Sequence, residues 1–213
     1  MKNLVLLICA ILSILTLSCK KNSSEDPTPT AKADYFQLKI GNYWIYEGFR
    51  VDTNGVATST GNYDTAHIEK DTVIRGFTYF EFWENPYVLG NIQFPVYLRD
   101  SSGYLVSGDG IILASDFNFK DTLEIDKSHP ELYIGYVKMT GKDSLISDAL
   151  EHTYQSITSR RQVVPTPPNF NNLPIRYTYE VYGKGVGKIK THSFFFSGGG
   201  PKFEARLVRY KVN

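Results

Sequence analysis

The amino-acid sequence reads as a mainly β protein: an antiparallel curved sheet, half-barrel or sandwich of ten or more strands, with at most one or two short helices. Three observations carry this reading. Aromatic residues are plentiful, with 15 Tyr, 13 Phe and 2 Trp in 213 residues, and aromatic rings suit pleated, half-buried surfaces. Aromatic and β-branched runs recur at roughly 8–12-residue spacing between Gly, Asn, Asp and Pro turn signals, as in antiparallel sandwiches and barrels. The periodicity of an amphipathic helix is nearly absent.

Residues 1–18 form a leader. Lys2 supplies a positive start, and Leu4 to Leu17 is an apolar run of 14 residues. A spanning helix needs about 20, so the run suits a secretory signal peptide better than a membrane span. It ends in Leu15-Thr16-Leu17-Ser18-Cys19 and gives way to Lys20-Lys21-Asn22. A small residue followed by cysteine at this point resembles a bacterial lipobox, with Thr16 where that motif usually has Leu. The resemblance implies that Cys19 is acylated and becomes the first residue of the mature chain. Two or more acyl chains, as bacterial lipoproteins carry, anchor firmly where one does not. Residues 19–34 are then the acylated cysteine and a disordered tether. Between Lys20 and Asp34 there is no aromatic or large aliphatic side chain to bury. The expected location is the cell envelope, lipid-anchored, in the outer membrane, with the leaflet open.

Residues 35–213 read as a single β-rich domain. Asn42 to Val51 is a strand that stops at Asp52-Thr53-Asn54-Gly55, a strong turn signal. Thr65 to Ile74 and Phe77 to Trp83 form a hairpin through Arg75-Gly76. Phe94 to Arg99 is closed by Asp100-Ser101-Ser102-Gly103, and Tyr104 to Val106 and Ile111 to Ala114 flank another glycine-rich turn. Leu132 to Thr140, Ile175 to Tyr182, Val186 to Phe196 and Phe203 to Val212 complete the strands. The best helical window is Asp143 to Ser159, where Leu145, Ile146, Ala149 and Leu150 recur at helical spacing; its second half, from Thr153, also reads as a strand. Pro165 to Pro174 holds four prolines and reads as an irregular loop, since proline cannot donate to a ladder.

Two stretches carry a family resemblance. Tyr35-Phe36-Gln37-Leu38-Lys39-Ile40-Gly41-Asn42-Tyr43-Trp44-Ile45-Tyr46-Glu47 resembles a block near the start of small Bacteroidota lipoproteins of unknown function, with Gln37 where proline is usual. Tyr182-Gly183-Lys184-Gly185-Val186-Gly187-Lys188-Ile189 resembles the same group's Lys-Gly-Val-Gly segment. The resemblance implies a half-open antiparallel sheet of the lipoprotein-carrier kind, wrapping a concave apolar face. It implies no activity.

Motifs for chemistry are scarce. The charge balance is 23 Lys+Arg against 22 Asp+Glu with no basic block, so there is no electrostatic footprint for nucleic acid. Both cysteines, Cys9 and Cys19, lie in the leader region, which removes a disulfide framework, a thiolate zinc site and a cysteine nucleophile from the body. His67, His129, His152 and His192 show no metal-ligand spacing, so no metal and no cofactor is expected. The glycine-rich segment from Gly183 lacks the spacing and following Ser or Thr of a phosphate loop. Glu81 with Glu84, and Glu124 with Asp126, read as solvated carboxylates rather than a catalytic pair.

Trp44, Trp83 and Phe195 are the candidate ligand-stacking residues, with Trp44 and Phe195 read first as packing. The sequence thus describes a non-enzymatic envelope lipoprotein. It would bind a partner, or an apolar or glycan ligand, on an aromatic-rich sheet face. A carboxylate-dependent glycan hydrolase and a structural subunit of an envelope complex are the alternatives.

Overall fold

The computed structural model describes residues 34–84, 94–167, 173–194 and 202–213. The turn chemistry of the sequence sets the frame. Arg75 and Gly76 both take positive φ, 52° and 82°, as do Ser102 and Gly103 at 53° and 90°. Such mirror-image turns match the twist of flanking strands and make tight hairpins. Asp52 accepts the backbone N–H groups of Asn54 and Val56, closing the turn after the first strand.

The strands are β1 (Tyr43–Val51), β2 (Ala57–Ile74), β3 (Phe77–Glu84), β4 (Phe94–Ser101), β5 (Tyr104–Ser107), β6 (Ile112–Ser115), β7 (Thr122–Asp126), β8 (Tyr133–Ser147), β9 (Thr153–Pro165), β10 (Arg176–Gly183), β11 (Gly187–Ser193) and β12 (Lys202–Lys211). All twelve belong to one antiparallel sheet ordered β6-β5-β4-β3-β2-β1-β12-β11-β10-β9-β8-β7. The chain runs out along one wing to β6, crosses to the far edge at β7, and returns to β12 beside β1. Only six residues separate Ser115 from Thr122, a reach of at most about 25 Å. A flat sheet of twelve strands would be about 50 Å wide. The sheet therefore curls into a nearly closed barrel.

The seam has no ladder. Instead, side chains of the far wing satisfy β6: Ser159 Oγ donates to the Leu113 carbonyl at 2.6 Å, and the Ser115 N–H is 3.2 Å from Met139 Sδ. Inward-facing Trp44, Ile68, Phe82, Leu98, Leu105, Met139, Ile157, Ile189 and Leu207 form the core, joined by Tyr35 and Phe36 from the segment before β1. They fill the end of the barrel where β1 begins and the β10–β11 turn lies.

The structure departs from the sequence reading at several elements. Among the described residues there is no helix: the window Asp143 to Ser159 is the end of β8, a turn, and the start of β9. Asp148, buried, accepts the N–H groups of Leu150 and His152 and so caps that turn. Leu145 and Leu150 are exposed, leaving no apolar helical stripe. Strand β2 begins well before Thr65, and β7 is the short strand that carries Glu124 and Asp126. Pro165 ends β9, while residues 168–172 of the proline-rich stretch lie outside the described residues.

Candidate functional site

The two segments that carried the resemblance meet in space. Trp44 is 1% exposed, and its Nε1–H donates to the Val186 carbonyl at 2.6 Å. Gly187 has φ 94°, and a Cβ there would stand 3.0 Å from the indole. Both its backbone conformation and the indole's approach call for glycine at this position. Tyr46, two residues along on the same face, donates to the Lys188 carbonyl at 2.8 Å. Trp44 is therefore core, packed against Phe82 at 5.6 Å between ring centroids.

Above this apolar plug the interior turns polar. The register shift between Val181 and Tyr182 sets Lys188 opposite Tyr182 and so turns it inward. Its Nζ reaches across the barrel to Glu84 Oε2 at 2.6 Å and along the sheet to Glu180 Oε1 at 3.4 Å. The Tyr182 hydroxyl donates to the other oxygen of Glu180 at 2.6 Å. Burial opposes the charge on Glu180, yet Lys188 and the Tyr182 hydroxyl more than offset it and hold its carboxyl below the usual range. Burial alone would lower the Lys188 ammonium; Glu84 and Glu180 raise it instead. Burial also pushes the Tyr46 and Tyr182 phenols up, so both stay protonated donors.

A cavity of about 310 Å³ opens over this cluster, at the end of the barrel away from Trp44. Glu84, Ser159, Arg161, Thr178, Glu180, Thr191 and Ser193 line it, with Leu113 and Val137 on one flank; Tyr179 and His192, at alternate strand positions, border it. Glu84 and Glu180 lie deep in the barrel, but 31% and 35% of their side-chain surface stays accessible, through the cavity. Arg161 is held by Asp126. Its side chain passes closely over Gly135, where a Cβ would stand 3.1 Å from Nε, and that Nε–H has no acceptor among the described residues.

The apolar half of the interior is closed to ligands. A void of about 20 Å³ is all that remains among Phe36, Leu38, Trp44, Phe82, Leu98, Leu105, Tyr182 and Lys188, roughly one water's worth of space. The concave apolar face implied by the resemblance is thus filled by the chain's own side chains.

The remaining sequence candidates are scattered. Trp83 faces outward, half-buried, donating to Glu81 Oε1 at 2.9 Å and lying parallel to the His67 ring. Glu81 is not a solvated carboxylate: it is 5% exposed, between Trp83 and Lys70. Glu84 points the opposite way, into the barrel, because residues three apart on a strand take opposite faces. Asp126 is likewise engaged, by Arg161. Cys19 and Phe195 lie outside the described residues. Among the described residues no cluster of His, Cys, Asp or Glu is placed to hold a metal ion.

Sequence reading missed Glu180 and Arg161 and passed over Lys188 as part of a turn. The available signal was a single acidic residue in the aromatic strand Arg176 to Gly183, sharing a face with Thr178 and Tyr182.

No family model and no curated protein matches the chain. A crystal structure from Parabacteroides distasonis, described as a “putative lipoprotein”, is similar to it over 83% of this chain and 98% of its own length, with 13% sequence identity and a TM-score of 0.49.

Proposed function

We propose that this chain is a non-enzymatic, lipid-anchored protein of the cell envelope whose barrel holds a small polar ligand in its mouth. The cavity over Glu84 and Glu180 carries the reading. It places two accessible charged groups deep inside a rigid sheet, and its size falls at the lower end of ligand pockets, roughly 300–1,000 Å³. The filled apolar half argues for a polar ligand over an apolar one. A binding role is favoured over hydrolysis because a two-carboxylate glycosidase flanks the scissile bond with its two carboxyls. Here the Lys188 ammonium sits between Glu84 and Glu180, in contact with both, where such an enzyme keeps room for the scissile bond. The anchor rests on the leader and Cys19.

Saturation-transfer NMR on the purified full chain tests the cavity, with neutral sugars, amino acids and short diamines as probes. Signal is expected from at least one class. It should disappear in Thr191→Trp, which fills the space, and persist in Lys70→Ala on the outer face. No signal from any class would sink the binding role. Metabolic labelling with a clickable fatty acid tests the anchor. The wild type should take up label and fractionate with membranes, and Cys19→Ala should do neither. An unlabelled wild type would remove the anchor.

A further inference from the structure

Resting on the binding role proposed above, we propose that the ligand of this cavity is a neutral saccharide unit, held through its hydroxyl groups. The argument is one of matching donors to acceptors. The floor offers carboxylate acceptors from Glu84 and Glu180, with Lys188 between them. The wall offers Arg161, a pure donor whose side chain stays 39% accessible with one terminal nitrogen spent on Asp126. Between floor and wall stand the hydroxyls of Thr178, Thr191 and Ser193, each able to donate and accept.

Three ligand chemistries meet this lining differently. An anion would satisfy Arg161 but would face two carboxylates against a single lysine. A cationic amine would satisfy the carboxylates but would bring a second positive charge beside Arg161 and offer it no acceptor. A sugar hydroxyl both donates and accepts, so one molecule can serve the floor, the wall and the hydroxyls together. Leu113 and Val137 on one flank suit the apolar C–H face that a sugar ring also carries. Leaving such buried polar groups unmatched is costly, and that cost discriminates among ligands of similar size.

The experiment is isothermal titration of the full chain in a detergent without a sugar headgroup. The probes are D-glucose, D-galactose, D-mannose and N-acetyl-D-glucosamine, set against D-glucuronate, glycine and 1,4-diaminobutane. At least one neutral sugar should bind at least tenfold more tightly than glucuronate, glycine and the diamine. Arg161→Ala and Ser193→Leu should each weaken it by about tenfold or more, the loss of one good hydrogen bond or of the space. Glu180→Gln should weaken the sugar only a few-fold, because an amide still accepts, and should raise glucuronate affinity. Circular dichroism confirms that each variant is folded. Tightest binding of glycine or the diamine, with collapse in Glu180→Gln, would overturn the saccharide assignment and leave the binding role standing. Binding of no probe would overturn both.

Discussion

Gly187 and Lys188 are neighbours in the chain and do opposite jobs. Gly187 lets the backbone take φ 94° under the Trp44 indole. Gly187→Ala adds a methyl where neither the dihedral nor the space allows it, and is expected to lower stability by about 2 kcal/mol, read as a lower urea midpoint with unchanged slope. Lys188 is 13% accessible and bridges Glu84 and Glu180. Lys188→Met leaves two carboxylates facing each other and is expected to cost about 3 kcal/mol by urea denaturation at pH 7. Glu180 has its pKa depressed below 4.5 in the folded state. The stability it contributes is therefore present above about pH 4.5 and is lost as pH falls through the folded value. Glu180→Gln should flatten the acid limb of a stability–pH curve. The loss at pH 7 should be only about 1 kcal/mol, because water reaches the group. Glu204, depressed against burial by Lys190 and Arg206, should preserve the rest of the acid dependence.

Strand β6 shows how an edge can be closed without a partner strand. Its backbone meets Ser159 Oγ, Met139 Sδ and, at 3.4 Å, Glu124 Oε2 rather than a ladder. Ser159→Ala should cost about 1 kcal/mol. Hydrogen exchange should then quicken at Leu113 to Ser115 well before β1 or β11, whose amides sit between two strands. Uniform quickening across the sheet would show that the seam is not a separate weak point. The same region exposes the limit of local periodicity. Leu145, Ile146, Ala149 and Leu150 fall at helical spacing, yet pairing of Ser144–Ser147 with Thr153–Ser156 makes the first two strand and leaves the other two in the turn that Asp148 caps. Ladder bonds to a neighbouring strand outweigh a weak intrinsic preference.

The barrel as a whole is held by contacts between distant parts of the chain. Asn42 is fully buried: its side chain donates to the Gln37 carbonyl at 2.7 Å and accepts the Asn213 N–H at 2.9 Å. This ties the segment before β1 to the segment after β12. Asn42→Ala orphans both partners and should lower stability by about 2 kcal/mol, more than an exposed Asn54→Ala in the same denaturation series. Beside that tie sits the apolar plug, and at the other end the polar cavity, so one curled sheet divides its interior between stability and recognition.

The strands and turns were legible in the residues alone because they follow from local causes. Side chains alternate along a strand, and Arg75-Gly76 and Ser102-Gly103 tolerate the dihedrals of tight hairpins. Trp44 as core was legible too, from an aromatic run bounded by turns. The cavity was not. Glu84 and Lys188 are 104 residues apart in the chain and meet only because the sheet curls. Glu84 differs from Glu81 only in which face the pleat assigns it, and that face became the inside through closure. Alternation tells which residues share a side; curvature decides which side encloses space, and with it which charges meet there.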